Sequence, residues 1–417
     1  MAEAYQPLFN RTYLKVILWV VAITIVLLNW HERQRVAALI PWQWQQGSTE
    51  VRALNHDNKG SEVWILSFAP GAMAEAQAGT AALADTMLQE RLPGGASHWF
   101  LDRQMAFSTQ LTQEHWQIQL QLPDDEDHRQ QAIAGLQQLF SPTADDQQHT
   151  EQARLRLLAQ ANLLASRGEA LAIQGSLLAL YPDHPVSRPL YGSRASLATV
   201  DASTVNHFVS QFWQTAPQQL LLLGDFDESQ AKQRAQQLLT KLPQQVMSTQ
   251  ATPTLPAARA EPLALQRPQL RQQAAMALVL PEADPYQSTL LLLWLTQLGQ
   301  QHQLQVNPWR SSEQPVVLFS WEGDLQATPP QWQPLLQQQP DSQQLDALFR
   351  QVATERKNLE QDPLTLAQWL TLAWHRGQPL NVLKVWDQQQ ANEPRQAFLQ
   401  LLTQLARQPR GEATVHP

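Results

Sequence analysis

The pattern of hydrophobic and polar positions predicts several β-strands along this chain. In residues 115–122 every even position is hydrophobic and every odd position is His or Gln, an alternation typical of a strand with one buried face. Residues 51–54 and 62–71 are predicted to form two strands joined by a turn, and 218–227 a buried strand that ends in a turn. Residues 315–323 predict a strand in the second half.

Hydrophobic residues at helical spacing predict helices between and after these strands. The predicted helical ranges are 79–90, 128–140, 150–181, 201–213 and 228–243, followed by three helical segments after residue 323 that reach about residue 407. The first range is amphipathic, with Leu83, Met87 and Leu88 on one face. Because strands and helices mix without regular βαβ alternation, the sequence predicts an α+β fold of sheets backed by helices.

The chain of 417 residues is too long for one ordinary domain, so two domains are expected. Residues 244–268 are rich in Pro, Ala, Thr and Gln and lack periodicity, which is typical of an interdomain linker. The segment after the linker repeats the order of strand and then helix. We therefore predict an N-terminal domain over 47–243 and a C-terminal domain over 269–417, the second a degenerate copy of the first.

Residues 16–30 carry no charge and predict one transmembrane helix. Lys15 can extend its amine to the interface, and Trp30 suits the same region. A cleaved secretory signal is the alternative, but no convincing cleavage site follows the apolar run. An uncleaved signal anchor leaves 1–15 as a cytoplasmic tail and 31–46 as a connector. We expect a single-pass protein of the inner membrane whose soluble body lies in the periplasm.

Composition excludes several classes of function. The net charge is -8 and the pI about 5.8, with no basic tract, so nucleic acid is not an expected partner. Cysteine is absent, which excludes disulfides, thiolate metal sites and a cysteine nucleophile. A hydrophobic content of 43% is enough to build sizeable cores, so a globally disordered chain is not expected.

An ordered set of motifs between residues 180 and 243 resembles a known family of zinc peptidases. A turn of the form HP-x-x-R-P-x-x-G is followed by a helix, a hydrophobic strand that ends in Gly-Asp, and another helix. The matching residues are His184, Pro185, Arg188, Pro189, Gly192, Val205, Gly224 and Asp225. This order is similar to that of the pitrilysin/insulinase peptidases (inverzincins) and the mitochondrial processing peptidases. The resemblance implies two similar α+β domains that face one another like a clamshell.

The resemblance also identifies residues 79–88 as the zinc helix of that family with its ligands replaced. The family motif G-x-A-H-x-x-E-H-M-L carries two His ligands and a Glu that activates water. Here Ala82 and Thr86 stand at the two His positions, and Asp85 stands at the Glu position. The family's third ligand is a Glu on a later helix, but no carboxylate lies between Glu151 and Glu169. We expect no metal, no cofactor and no catalytic residue, with Asp85 a surface acid of the helix.

A second feature of two-chain family members is also missing. One chain of such pairs carries an Arg/Tyr pair, in a segment after the first helix of its second domain, that positions the substrate carbonyl. In this sequence that segment is absent, and no Tyr follows Tyr286. Arg310 is interpreted as a solvated loop charge. His184, in its Pro-flanked turn, is interpreted as a structural hydrogen-bonding residue.

These observations predict a catalytically inactive peptidase homologue, anchored in the membrane, that works by binding. The expected partner is an active zinc-peptidase paralogue, with which the chain would form a heterodimer. The alternative is an independent envelope scaffold or chaperone that binds extended peptides along a sheet edge. A further alternative is an active hydrolase whose chemistry has moved elsewhere in the chain.

Overall fold

The computed structural model describes residues 41–57, 60–245, 262–267, 270–309, 315–324 and 328–417. Among these residues no helix is both long and apolar enough to cross a membrane. The predicted transmembrane segment 16–30 and the tail before it lie outside the described residues.

The first half of the chain, residues 41–245, contains one six-stranded sheet. Its strands are β1 (Trp42–Gln46), β2 (Thr49–Asn55), β3 (Ser61–Phe68), β4 (Ala106–Leu111), β5 (Trp116–Pro123) and β6 (Gln219–Gly224). They lie in the order β1-β2-β6-β3-β5-β4, with β2 and β6 parallel and all other neighbours antiparallel. Strand β1 falls inside the predicted connector 31–46, so the sheet begins before the predicted boundary at residue 47.

Eight α-helices accompany this sheet in the described residues. They are α1 (Thr80–Glu90), α2 (Ala96–Leu101), α3 (Glu126–Phe140), α4 (Asp146–Ala165), α5 (Gly168–Leu180), α6 (Arg194–Thr199), α7 (Ala202–Phe208) and α8 (Glu228–Leu239). A π-helical turn, Val209–Trp213, continues α7. The range 150–181, predicted as continuously helical, is divided between α4 and α5, because Arg167 adopts an extended backbone before Gly168.

The second half, residues 262–417, contains a five-stranded sheet and six helices in its described part. The strands are β7 (Leu263–Gln266), β8 (Gln272–Val279), β9 (Gln305–Trp309), β10 (Val316–Gly323) and β11 (Arg410–His416), in the order β7-β11-β8-β10-β9. The helices are α9 (Pro285–Gln301), α10 (Trp332–Leu336), α11 (Ser342–Gln361), α12 (Pro363–His375), α13 (Val382–Asn392) and α14 (Arg395–Leu405). The predicted α+β fold with two sheets backed by helices is confirmed.

Three features of the second half differ from the prediction. Strand β7 lies within the range 244–268 interpreted as a linker. In the described residues after β10 there are five helices rather than three. Strand β11 lies beside the centre of its sheet although its sequence is mostly polar, and α5 covers it. Gly411 of β11 lies so close to that helix that a Cβ would stand 2.2 Å from the carbonyl oxygen of Ser176.

Each half of the chain contributes a helix that packs on the sheet of the other half. Helix α5 of the first half packs on the sheet of the second, where Ala172 joins a core with Ala275 and Val415. Helix α12 of the second half packs on β3 and β6 of the first sheet. Residues from both halves form the core under α12, which includes Leu54, Val63, Ile65, Leu221, Leu223, Leu366, Leu370 and Trp374.

Because α12 covers the first sheet, the prediction that β5 is half-buried is wrong. Gln117 and Gln119, expected to face solvent, are 8% and 3% exposed. Buried amides need hydrogen-bond partners, and Gln368 of α12 donates from Nε2 to Oε1 of Gln119 at 2.7 Å. The alternation of β5 therefore separates an apolar face from a polar face that the other half of the chain covers.

Candidate functional site

Helix α1, which the sequence resemblance identifies as the counterpart of the zinc helix, begins beside a buried glutamate. Glu75 is 4% exposed, and its two carboxylate oxygens accept the backbone N–H groups of Gly79 and Ala81 at 3.0 and 2.9 Å. These are N–H groups that the first turn of a helix cannot satisfy internally. Burial raises the pKa of Glu75 to about 7, although the two N–H donors favour the charged form.

The HP-x-x-R-P-x-x-G turn packs against this helix start. Arg188 donates to the backbone carbonyl of Glu75 at 3.3 Å. Gly192 has φ +71, and a Cβ there would stand 2.8 Å from the carbonyl oxygen of Ala78. Nδ1 of His184 accepts the N–H of Val186 at 3.2 Å, so the prediction of a structural role for His184 is confirmed. Arg188 and Gly192 thus pack the turn against the segment that leads into α1.

The two positions of the His ligands hold no metal-binding group. Ala82 is 2% exposed and presents only a methyl group. The hydroxyl of Thr86 donates to the carbonyl oxygen of Ala82 at 3.0 Å, a bond within the helix that is common for threonine. The helix is also more deeply buried than an amphipathic surface helix, since α4 and α7 pack on it. Neither position offers zinc a ligand.

Asp85 is not the surface acid that the sequence analysis expects. Its side chain is half-buried, and Oδ1 accepts the indole N–H of Trp116 at 2.8 Å. Burial raises the pKa of Asp85, and hydrogen bonds from Thr109, Trp116 and Gln89 oppose that shift. The carboxylate therefore ties α1 to strands β4 and β5. Burial and then the charge of Asp85 raise the pKa of Tyr191.

Helix α4, which corresponds to the helix of the third ligand, packs along α1 with an apolar face. Its buried stripe contains Ala153, Leu157 and Ala161. Glu169, the next carboxylate along the chain, lies on α5 and accepts the hydroxyl of Ser320 in the second sheet at 2.6 Å. In the described part of the chain no group of three His, Asp or Glu side chains could hold a metal ion. The side chains around α1 do not fit a zinc ion.

The part of the second half that corresponds to the Arg/Tyr segment is short. Only residues 302–304 connect α9 to β9. Tyr286 is buried at the start of α9, with its ring centroid 6.1 Å from that of Trp386. Arg310 lies outside the described residues.

A groove among the described residues lies away from these positions. It has a volume of about 530 Å³ and is lined in part by Arg91, Asp146 and His207, and by none of the three zinc-motif positions. Arg91 donates to both carboxylate oxygens of Asp146 at 2.9 and 2.7 Å, so the guanidinium at its floor is already paired. Sequence reasoning does not predict this pair, because nothing in the local pattern connects residues 55 positions apart.

Comparison with known proteins identifies the architecture. No protein-family model and no curated protein sequence matches the chain. Among solved structures, a peptidase M16 inactive domain from Pseudomonas fluorescens is 15% identical with a TM-score of 0.76, covering 90% of this chain and 98% of that one. The chain has the fold of M16 peptidase domains. The resemblance to the pitrilysin-like peptidases, inferred from residues 180–243, is thus confirmed at the level of fold.

Two further solved structures have a fold similar to that of this chain. The first half of the periplasmic protease PqqL from Escherichia coli is 14% identical with a TM-score of 0.66, covering 90% of this chain and 92% of that one. A chain of complex III2 from Candida albicans, with Inz-5 bound, is 10% identical with a TM-score of 0.66. The match covers 89% of this chain and 95% of that one. At these identities the comparison concerns the fold alone.

Proposed function

We propose that this chain is a non-catalytic M16-type protein, a pseudopeptidase that works by binding other proteins in the cell envelope. The observation that carries the proposal is the contrast around α1. The scaffold of the zinc helix is intact, with Glu75 and Gly192 at its start, whereas Ala82 and Thr86 stand where zinc requires ligands. Such a helix keeps its structural role without supporting metal-dependent hydrolysis.

The proposed partner is an active zinc-peptidase paralogue, with which the chain forms a heterodimer. Two observations support this choice. The chain corresponds in extent to the first half of PqqL, so a second unit of the same kind would complete a clamshell. A chain with this fold also occurs in complex III2, an assembly of several proteins.

Co-purification tests the partner directly. The full chain, tagged at its C-terminus and extracted in mild detergent from its native host, is expected to retain a stoichiometric partner that carries HxxEH. Recovery of the chain alone, at the same protein level, would contradict the heterodimer.

We also propose that residues 16–30 anchor the protein in the inner membrane with its body in the periplasm. The proposal is supported by the uncharged run and its interfacial flanks. A reporter that is active only outside the cytoplasm, fused after residue 60, should be active, and the protein should stay with membranes after a carbonate wash. Release of a shortened chain would show a cleaved signal, and activity of a cytoplasmic reporter alone would reverse the orientation.

A second function, the binding of extended peptides by an independent scaffold, is favoured by strand β4. This strand lies at the edge of the first sheet beside α1 and, among the described strands, pairs with β5 alone. An open edge accepts an added strand through its backbone N–H and C=O groups. If the chain purifies alone and retains unfolded peptides, this function replaces the heterodimer.

A further inference from the structure

Two histidines from opposite halves of the chain stack on each other where α12 meets the first sheet. His115 lies directly before β5, and His375 is the last residue of α12. Their ring centroids are 3.9 Å apart, and the ring planes differ by 25°. Nδ1 of His115 and Nε2 of His375 are buried and have no hydrogen-bond partner among the described residues. The contact therefore joins the two halves, and each ring has one buried nitrogen without an acceptor for an added proton among the described residues.

The first sheet and the end of α12 also contribute two arginines to this region. The guanidinium of Arg52 on β2 lies 4.2 Å from the ring centroid of Trp374, the residue before His375. Arg376, the residue after it, has a buried Nε. Burial lowers the pKa of both guanidinium groups, as expected for cations held away from water.

Three other titratable groups act on this region. The charge of Glu114, next to His115, opposes the lowering of the Arg376 pKa, and the charge of Glu50 opposes that of the Arg52 pKa. Tyr181 has a pKa raised by burial and then by the charge of Glu114. The two carboxylates thus act on the arginines, and neither of them contributes to the resolved shifts of the two histidines.

The histidines themselves are held neutral. Burial lowers the pKa of His115. Burial also lowers the pKa of His375, and the neighbouring His115 and the charge of Arg52 lower it further. A proton added to either ring would place a cation against the second ring and beside Arg52, in a site with little water.

We propose that His115 and His375 form an acid-sensitive latch, in which protonation releases α12 from the sheet of the first half. The latch is closed when both rings are neutral and stacked. It opens when the rings take up protons that only the separated, hydrated state accommodates. Release uncovers the polar face of β5 that Gln368 now covers, together with the apolar residues of the first sheet that pack under α12.

The direction of the pH dependence follows from the lowered pKa values. An imidazole in water has a pKa of about 6.5. Above that pH the two histidines are neutral whether the latch is closed or open, so the closed latch contributes its full stability. As the pH falls below about 6.5, the open state binds protons that the closed state does not, and each ring favours opening by up to about tenfold per pH unit. With both rings titrating, the opening constant rises by up to about a hundredfold per pH unit.

Hydrogen exchange measured by mass spectrometry tests the latch in the full chain in detergent. Peptides from α12 should lose protection between pH 7 and pH 5, after correction for the intrinsic pH dependence of exchange. The double variant His115→Phe/His375→Phe keeps two stacked rings but removes both protonation sites, so its α12 should stay protected. The control is His207→Phe, a change at an exposed histidine on α7, which should behave like the unaltered protein. Equal loss of protection in the double variant and the unaltered protein would overturn the proposal.

A second measurement does not depend on the variant's folding. Exchange of the ring C2 proton, followed by mass spectrometry on the unaltered chain, reports the pKa of each histidine. His115 and His375 should both titrate below the ordinary pKa of a histidine in water. An ordinary pKa for either stacked ring would overturn the latch even if α12 opens in acid.

Discussion

Asp85 stands at the position where the M16 motif carries its catalytic glutamate, and in this chain Trp116 binds its carboxylate. The indole N–H donates to Oδ1 at 2.8 Å from a ring that is fully buried. Without zinc to polarise a water molecule, a carboxylate on this helix can still hold α1 against β5. The side chain at the position that the resemblance assigns to a catalytic glutamate is thus part of the packing.

Removing that carboxylate should destabilise the protein. Asp85→Ala leaves the buried indole N–H of Trp116 without an acceptor, and a buried unsatisfied donor costs about 1–3 kcal/mol. Asp85→Asn keeps an oxygen acceptor and should cost less. The midpoint of urea unfolding, followed by circular dichroism, measures the loss of stability in each of the two variants. Asp102→Ala, at an exposed aspartate, is the control and should shift the midpoint little. A midpoint for Asp85→Ala equal to that of the control would show that the indole bond contributes nothing.

Restoring the motif residues should not restore an enzyme. The triple variant Ala82→His, Asp85→Glu, Thr86→His would supply two ligands and the base, but α4 still offers no third ligand. Two imidazoles bind zinc weakly, and catalytic zinc sites use three protein ligands. We expect weak zinc binding in equilibrium dialysis and no cleavage of unfolded peptides. Hydrolysis by the isolated triple variant would mean that the chain is three substitutions from an active enzyme.

At the scale of elements, the strength of the local pattern decides what the sequence predicts. Strand β5 and helix α3 have clear periods and are found where the sequence predicts them. Strand β11 was missed because its position depends on backbone pairing with β8 and on a close approach to α5, not on hydrophobic alternation. The stacked His115 and His375 were missed for a related reason, since contacts between distant residues leave no mark in local sequence.

The turn that carries the family motif provides a test at this scale. In Gly192→Ala, the added Cβ meets the carbonyl oxygen of Ala78 and the residue keeps a positive φ, so we expect a loss of about 2–4 kcal/mol, from the left-handed backbone and the clash together. Gly47→Ala is the matched control, because Gly47 also has a positive φ but open space around its Cα. The difference in unfolding free energy between the two variants measures the contact with α1. Equal losses would show that the turn does not hold the helix start.

At the scale of the whole molecule, the exchange of α5 and α12 makes each half depend on the other. The first sheet needs α12 to cover Leu54, Val63 and Ile65, and the second sheet needs α5 to cover β8 and β11. Burial of apolar surface is the main favourable term in folding, so a sheet without its cover loses much of its stability. The two halves form separate sheets but share their cores.

Separation of the halves tests this dependence. Fragments 1–245 and 262–417, expressed apart, should show low stability and aggregate, because each exposes the apolar face that the other covers. Coexpressed, they should associate into a complex with the circular dichroism spectrum and thermal unfolding of the intact chain. The intact chain, cleaved by a specific protease after folding at a site inserted between residues 250 and 251, is the control and should remain associated. Two fragments that each unfold cooperatively at the temperature of the intact chain would contradict the shared cores.

The central claim, that the M16 fold of this chain has no zinc chemistry, is tested most directly by measuring metal and activity on the same sample. The full chain is purified in detergent without chelator, its zinc is measured by elemental analysis, and its cleavage of unfolded peptides is measured before and after chelation. Because Ala82 and Thr86 cannot bind zinc and α4 carries no third ligand, we expect far less than one zinc per chain and no cleavage in either condition. One zinc per chain, lost on chelation together with a peptidase activity, would contradict the account.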